Sequence, residues 1–328
     1  MRKSVVKLDE RLFRLGSNTI CEECEESKTV EPSSILASWQ DNGKTFIVRK
    51  ETVLEHDMTP SSSPANMVYE AGTSAGDWLL GNDTFCRVRS WCEGMEAESD
   101  TIQFVKTRCP SIPLPEVIFS WIDRDWNRSF TLLKRVSGKT LDESWPSLSE
   151  VQRAAIVQTV AGYCKELSHL TSPRVESATG KGIMQYHLDH PMPHSHPSWK
   201  PQLLGPMSRS EFSEFLRSRT SPDAQDSIPA IGEQFHFYHS DLCPINIMIS
   251  EEDGKVSGIL GWESVGYLPK FWFALKVVVS AGFLLDPDYV GTVKKDRTAW
   301  ALPLSDALIA HGFPTSDSDL AWWKGLLE

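Results

Sequence analysis

Residues 235–263 read FHFYHSDLCPINIMISEEDGKVSGILGWE, and the fold is read outward from them. Two short apolar runs, Ile245 to Ile249 and Val256 to Leu260, flank a Glu251-Glu252-Asp253-Gly254 turn. That pattern predicts a β-hairpin with a glycine where φ must turn positive. Just before it stand His239 and Asp241, and Asn246 follows five residues after that Asp. A hairpin entered through such a run of polar, chemistry-bearing side chains is expected to hold a site in place.

The spacing H-x-D-x-x-x-x-N is that of the kinase catalytic loop. There the Asp reaches an acceptor hydroxyl, while the Asn faces a metal ion bridging the nucleotide phosphates. HSDLCPINIMIS, followed by GILGWESVGYLPKFW, resembles the aminoglycoside phosphotransferase and choline kinase-like family, above all its filamentous-fungal branch. Members of that branch usually read H-x-D-L-x-P-x-N-I-x-V and then I-D-W-E-x-A-G-x-x-P. The similarity runs over roughly residues 66 to 300. It implies an α+β, bilobal protein-kinase-like fold, with a small antiparallel-sheet N-lobe and a larger, mainly helical C-lobe. It also implies ATP and Mg2+ as cofactors and a small-molecule substrate. One position departs from the family: where the magnesium-binding Asp precedes Trp-Glu, this chain has Gly261.

Composition is consistent with that reading. At 328 residues the chain exceeds the usual single-domain size, and two packed lobes are expected. A formal charge of −11 argues against nucleic acid as the main partner, because neutralising phosphates needs clustered Lys and Arg. Seven Cys, an odd number spread along the chain, argue for a reducing compartment rather than a disulfide framework. The Cys21-Glu-Glu-Cys24 pair has no second pair at zinc-site spacing. The longest apolar stretch, Phe271 to Leu285, is interrupted by Lys276 and falls short of the ~20 residues of a membrane span. The expectation is a cytoplasmic protein without a membrane partner.

Residues 1–65 form an N-terminal extension with one strand candidate, Thr45 to Arg49, and a Ser-Pro-rich linker. The N-lobe spans 66–137 and the C-lobe 138–328. Met67 to Glu70, Trp78 to Leu80 and Thr84 to Val88 read as three strands, the first two joined by a small-residue loop. In that loop Gly72, Ser74 and Gly76 are the candidate phosphate contacts, against the plainer reading of a Gly-rich hairpin. Arg87 stands where the resembling family usually has the phosphate-gripping Lys, and Glu98 on the next helix is its expected partner, against an exposed surface pair. Strands over Glu116 to Trp121 and Phe130 to Val136 lead to a hinge at Lys134 to Gly138, where Arg135 and Val136 would offer backbone groups to an adenine. Ser147-Leu-Ser-Glu150 reads as a capping box opening a long packing helix. His187, His190, His194 and His196 lie in a Pro-rich excursion whose spacing matches no standard zinc site; a substrate-side loop is the expectation. Trp322 and Trp323 read as core.

The site therefore comprises Asp241 and His239 as catalytic groups and Asn246 as the remaining metal ligand, with Glu263 as the nearest substitute carboxylate. In an extended segment residues 261 and 263 lie roughly 6.5 Å apart, and the extra methylene of Glu closes only a little over about 1 Å of that gap. Three functions remain open: an ATP-dependent small-molecule phosphotransferase that is impaired, a pseudokinase binding module, or a kinase-fold enzyme recruited to non-phosphoryl chemistry in specialised metabolism.

Overall fold

The computed structural model describes residues 1–24, 34–51, 66–185, 197, 199–285, 299–313 and 315–326. The chain divides into two compact units. The first holds residues 1–93, 115–135 and 191–201, and the second holds 94–114, 136–190 and 202–328.

The first unit contains two five-stranded antiparallel sheets. The N-terminal sheet has strands β1 (Val5–Lys7), β2 (Leu12–Leu15), β3 (Thr19–Cys24), β4 (Ile35–Asp41) and β5 (Lys44–Lys50), in the order β1-β2-β3-β5-β4. The second sheet has β6 (Met67–Ala71), β7 (Ala75–Leu80), β8 (Thr84–Ser90), β9 (Val117–Asp123) and β10 (Arg128–Lys134), in the order β6-β7-β8-β10-β9. Both are three-stranded meanders completed by a hairpin. They share one core: Phe13, Leu15, Cys21, Phe46 and Val48 from the first sheet are clustered with Trp78, Leu80, Cys86, Val88, Phe130 and Leu132 from the second. The alternation along β7 explains how: Gly76, Trp78 and Leu80 are buried while Ala75, Asp77 and Leu79 are only partly so, the period of a strand with one face against a core. Residues 1–24 and 34–51 thus contribute an integral layer of this unit.

Polar latches fix the two sheets in register. Asp41, at the end of β4, accepts from the N–H groups of Asn82 and Asp83 in the β7–β8 turn, at 2.5 and 3.0 Å. Asp123, at the end of β9, accepts from Ser17 N–H in the β2–β3 turn at 2.6 Å. Each sheet therefore caps a turn of the other, and each buried carboxylate is matched to backbone donors that would otherwise go unpaired.

The second unit opens with helix α1 (Glu98–Arg108). A short strand β11 (Lys139–Thr140) precedes α2 (Leu141–Ser144) and the long α3 (Glu150–Ser168). The capping box of α3 is formed by Ser149 and Gln152, two residues on from the pair expected from sequence. Ser147 instead closes a 3-10 turn over Trp145–Ser147 by donating its hydroxyl to Ser144 O at 2.8 Å. Strands β12 (Thr171–Ser172), β15 (Phe235–His239) and β18 (Val265–Leu268) form one small sheet; β13 (Arg174–Val175) pairs with β14 (Met207–Ser208), ahead of α4 (Arg209–Arg219). The expected hairpin is present as β16 (Ile247–Ile249) and β17 (Val256–Ile259), antiparallel, with Gly254 at φ +69°. Strand β11 adds to its edge, so the segment that follows residue 136 is tied to the hairpin.

The C-terminal helices are α5 (Lys270–Val279) and the helix Ala301–Ala310, followed by Asp317–Leu326. Trp272 and Trp323 meet with ring centroids 4.1 Å apart, and Trp322 donates its indole N–H to Thr220 at 3.0 Å, which makes both tryptophans core residues as expected. Among the described residues no helix is long and apolar enough to cross a membrane.

Candidate active site

In the second unit, strand β15 delivers His239 into the core and a 3-10 turn over Pro244–Asn246 carries the chain from Asp241 into β16. His239 is completely buried. Its Nδ1 accepts from the Asp241 N–H at 3.0 Å, so the opposite nitrogen carries the proton and donates to Leu260 O at 2.8 Å. Burial, opposed by the charge of Asp241, pushes its pKa down to about 4. The ring also stands edge-on to Trp262, at 4.6 Å between centroids. The acid-base role expected for His239 is therefore not what the geometry provides, because both nitrogens are engaged inside the protein. Its work is to hold the Asp241 backbone against Leu260.

Asp241 and Asn246 come together as their spacing implied. Asn246 Nδ2 donates to Asp241 O at 2.8 Å and to Asp241 Oδ2 at 2.9 Å. The other carboxylate oxygen, Oδ1, accepts the Cys243 thiol at 2.9 Å. Burial, reinforced by the Asp241 charge, pushes that thiol far up, so it remains a donor and not a nucleophile. Two donors thus fix the rotamer of a carboxylate that presents acceptor atoms only.

Gly261 adopts φ +79°, a region costly for most side chains but populated by Asp and Asn. A Cβ built there would lie 2.9 Å from Asn246 Nδ2 and 3.1 Å from Asn246 Oδ1. A side chain at position 261 would therefore point at Asn246. The next residue is gripped from α1: Trp262 N–H donates to Glu98 Oε1 at 3.1 Å, and Glu98 is buried. Glu98 thus positions the 261–262 turn, a role its sequence pattern did not disclose. Glu263 follows in a turn rather than an extended segment, so it does not share a face with residue 261 by strand alternation.

Magnesium requires near-octahedral oxygen ligands and is usually bound through one or two carboxylates together with phosphates. Here position 261 has no side chain and the Asn246 amide N–H2 is turned onto Asp241, so what Asn246 offers a metal is one neutral oxygen, Oδ1. Among the described residues no group of three or more His, Cys, Asp or Glu converges as a metal site. The side chains present do not fit the metal that the resemblance implies.

In the first unit, Gly72, Ser74 and Gly76 occupy the β6–β7 hairpin. The Ser74 N–H and hydroxyl both donate to Ala71 O, at 3.0 and 2.7 Å, so neither is directed to a phosphate in this conformation. Gly76 lies within β7, where a Cβ would run into the Trp78 ring at 2.6 Å; its lack of a side chain serves packing. Arg87, on β8, has its Nε 3.6 Å from Asp77 Oδ1, and Arg89 binds the same carboxylate oxygen at 2.6 Å. Arg135 donates its N–H to Asp83 O at 2.6 Å, and the division between the two units falls between Arg135 and Val136, within the predicted hinge. The His187, His190, His194 and His196 expectation lies outside the described residues.

Beneath the loop sits a group that sequence reasoning passed over. Lys276, on α5, is buried, and its ammonium donates to Gln185 Oε1 at 3.3 Å. Gln185, also buried, donates in turn to Ser240 Oγ at 3.3 Å. The signal available in the sequence was the interruption itself, a lone charge inside an otherwise apolar stretch.

Comparison with known proteins places these features in context. Residues 58–269 match the model of a phosphotransferase enzyme family. Solved structures similar to the chain include an aminoglycoside-3'-phosphotransferase of type VIII, 15% identical over 79% of this chain and 90% of that one, with a TM-score of 0.47. They also include aminoglycoside phosphotransferase APH(3'')-Id from Streptomyces rimosus, 16% identical over 79% of this chain and 90% of that one, with a TM-score of 0.46. A third is the streptomycin–ATP ternary complex of APH(2")-IIa, 11% identical over 80% of each chain, with a TM-score of 0.47. No curated protein matches the sequence.

Proposed function

The chain belongs to the phosphotransferase enzyme family, and from that premise we propose that it is an impaired small-molecule phosphotransferase, a pseudokinase-like binding module in which metal-assisted transfer from ATP to a hydroxyl has been weakened. The observation that carries this reading is Gly261 facing Asn246 with no carboxylate to offer. Phosphoryl transfer asks little covalent chemistry of a protein and a great deal of electrostatic organisation at the phosphate oxygens. Removing a negative ligand from the metal site lowers exactly that contribution while leaving the fold and the rest of the loop in place.

The residues that remain support acceptor binding better than transfer. Asp241 is held as a hydrogen-bond acceptor by Cys243 and Asn246, suited to orienting an acceptor hydroxyl. His239 holds the loop. The alternative of acid-base chemistry by Asp241 and His239 on a different substrate is disfavoured, because a buried imidazole with both nitrogens bonded cannot exchange protons with a ligand. The ligand is a small molecule, and the protein is cytoplasmic.

Thermal-shift titration tests the reading. ATP is expected to raise the melting temperature to the same extent with and without Mg2+, since a ligand stabilises only through the state it binds. A rise that depends on Mg2+ overturns the proposal and restores an intact kinase.

A further inference from the structure

The two donors on Asp241 are not alike. Asn246 Nδ2 holds Oδ2 at 2.9 Å, while the Cys243 thiol holds Oδ1 at 2.9 Å and is itself backed by a different element. Helix α5 ends at Val279, and a 3-10 turn over Ala281–Phe283 follows it. Ser280 Oγ caps that turn by accepting from the Gly282 N–H at 3.4 Å. Phe283, fully buried, anchors it edge-on to Phe273 with ring centroids 6.4 Å apart. A Cβ built on Gly282 would lie 2.9 Å from Cys243 Sγ, closer than real side chains come, so the absence of a side chain lets the turn close on the thiol. Burial, reinforced by the Asp241 charge, keeps that thiol protonated. It therefore orients the carboxylate without neutralising it, which a lysine or arginine in its place would do.

We propose that Cys243 is a positioning residue for Asp241, and that the glycine turn at 281–283 sets where its thiol lies. The inference deepens the reading given above, in which Asp241 orients an acceptor hydroxyl, and it rests on that reading. An aspartate side chain has several rotamers, each presenting its lone pairs in a different direction. One donor on each oxygen selects a single rotamer and still leaves each oxygen able to accept once more. That remaining capacity is what a ligand hydroxyl meets. The carboxylate then needs no reordering when the ligand arrives, which is where preorganisation contributes to binding. Part of the aim of the site is thus set outside its own loop, by the turn that follows α5.

Infrared difference spectroscopy on the full-length chain, without nucleotide or metal, tests the inference. Subtracting Cys243→Ala from wild type isolates the Cys243 S–H stretch, and subtracting Asp241→Ala isolates the Asp241 carboxylate stretch. The S–H band is expected at lower frequency in wild type than in Asp241→Ala, because a charged acceptor weakens the S–H bond. Gly282→Ala is expected to displace the same band. The carboxylate band should move in Cys243→Ala and return in Cys243→Ser, which restores a donor of nearly the same shape. A cysteine that only packs would leave that band where it is. If Cys243→Ala does not fold, Cys243→Ser serves for the S–H subtraction and Gly282→Ala supplies the displaced carboxylate band. An S–H band indifferent to Asp241→Ala overturns the inference, as does a carboxylate band that alanine and serine displace alike or not at all. No ATP enters these spectra, so their outcome is separate from that of the thermal-shift titration, which tests the underlying reading.

Discussion

At the scale of single residues, the site is a set of hydrogen bonds that immobilise one carboxylate. His239 is its foundation, and its protonation state has a measurable signature. The unfolded chain takes up a proton on this ring near pH 6.5, whereas burial delays uptake in the folded protein to about pH 4. Between those values the unfolded state binds the extra proton, so stability falls as pH falls, by up to about 3 kcal/mol from this group. In urea unfolding from pH 7 to pH 4, His239→Gln is expected to be less stable than wild type at pH 7 and to lose less stability on acidification; parallel curves would mean that His239 titrates normally in the native state. Asp241 and Asn246 were legible in the sequence because their geometry is local, five residues apart in one loop. Gln185 and Lys276 were not, since what makes them part of the site is which distant side chains they touch.

At the scale of elements, the hairpin β16–β17 and the helix α3 followed from patterning, a Gly turn between apolar runs in one case and helical periodicity in the other. The start of α3 did not. Ser147-x-x-Glu150 and Ser149-x-x-Gln152 both satisfy the capping-box pattern, and the choice between them is made by Trp145–Ser147, whose 3-10 turn uses Ser147 for its own closure. Ser149→Ala is accordingly expected to cost about 1 kcal/mol of stability by denaturant unfolding. Ser147→Ala should cost a smaller amount, as it removes one side-chain bond outside the helix. The reverse ranking would place the cap at Ser147. The phosphate-loop expectation illustrates the opposite hazard: small residues at Gly72, Ser74 and Gly76 fit a phosphate cradle in sequence, yet a tight turn and the bulk of Trp78 account for Ser74 and Gly76 here.

At the scale of the molecule, length suggested two units, and the α+β, kinase-like fold was legible from the catalytic-loop motif through the family resemblance it carries. The N-terminal sheet was not, because β1 and β2 are only three and four residues long and β3 ends in a charged Cys-Glu-Glu-Cys run. Such strands show their buried face only once a second sheet covers it. Phe46, 2% exposed at the heart of that shared core, is the place to test the point. Phe46→Ala should destabilise the protein by about 3 to 5 kcal/mol, the cost of a large core truncation; a loss under about 1 kcal/mol would make the N-terminal sheet an independent appendage. The central claim concerns function, and the direct measurement is the rate of Mg2+-dependent ATP hydrolysis by wild type and by Gly261→Asp combined with Arg87→Lys. The account predicts that the double variant hydrolyses ATP at least about tenfold faster, as a restored metal carboxylate and phosphate-gripping lysine supply transition-state charge stabilisation. An unchanged rate in the folded variant would contradict it.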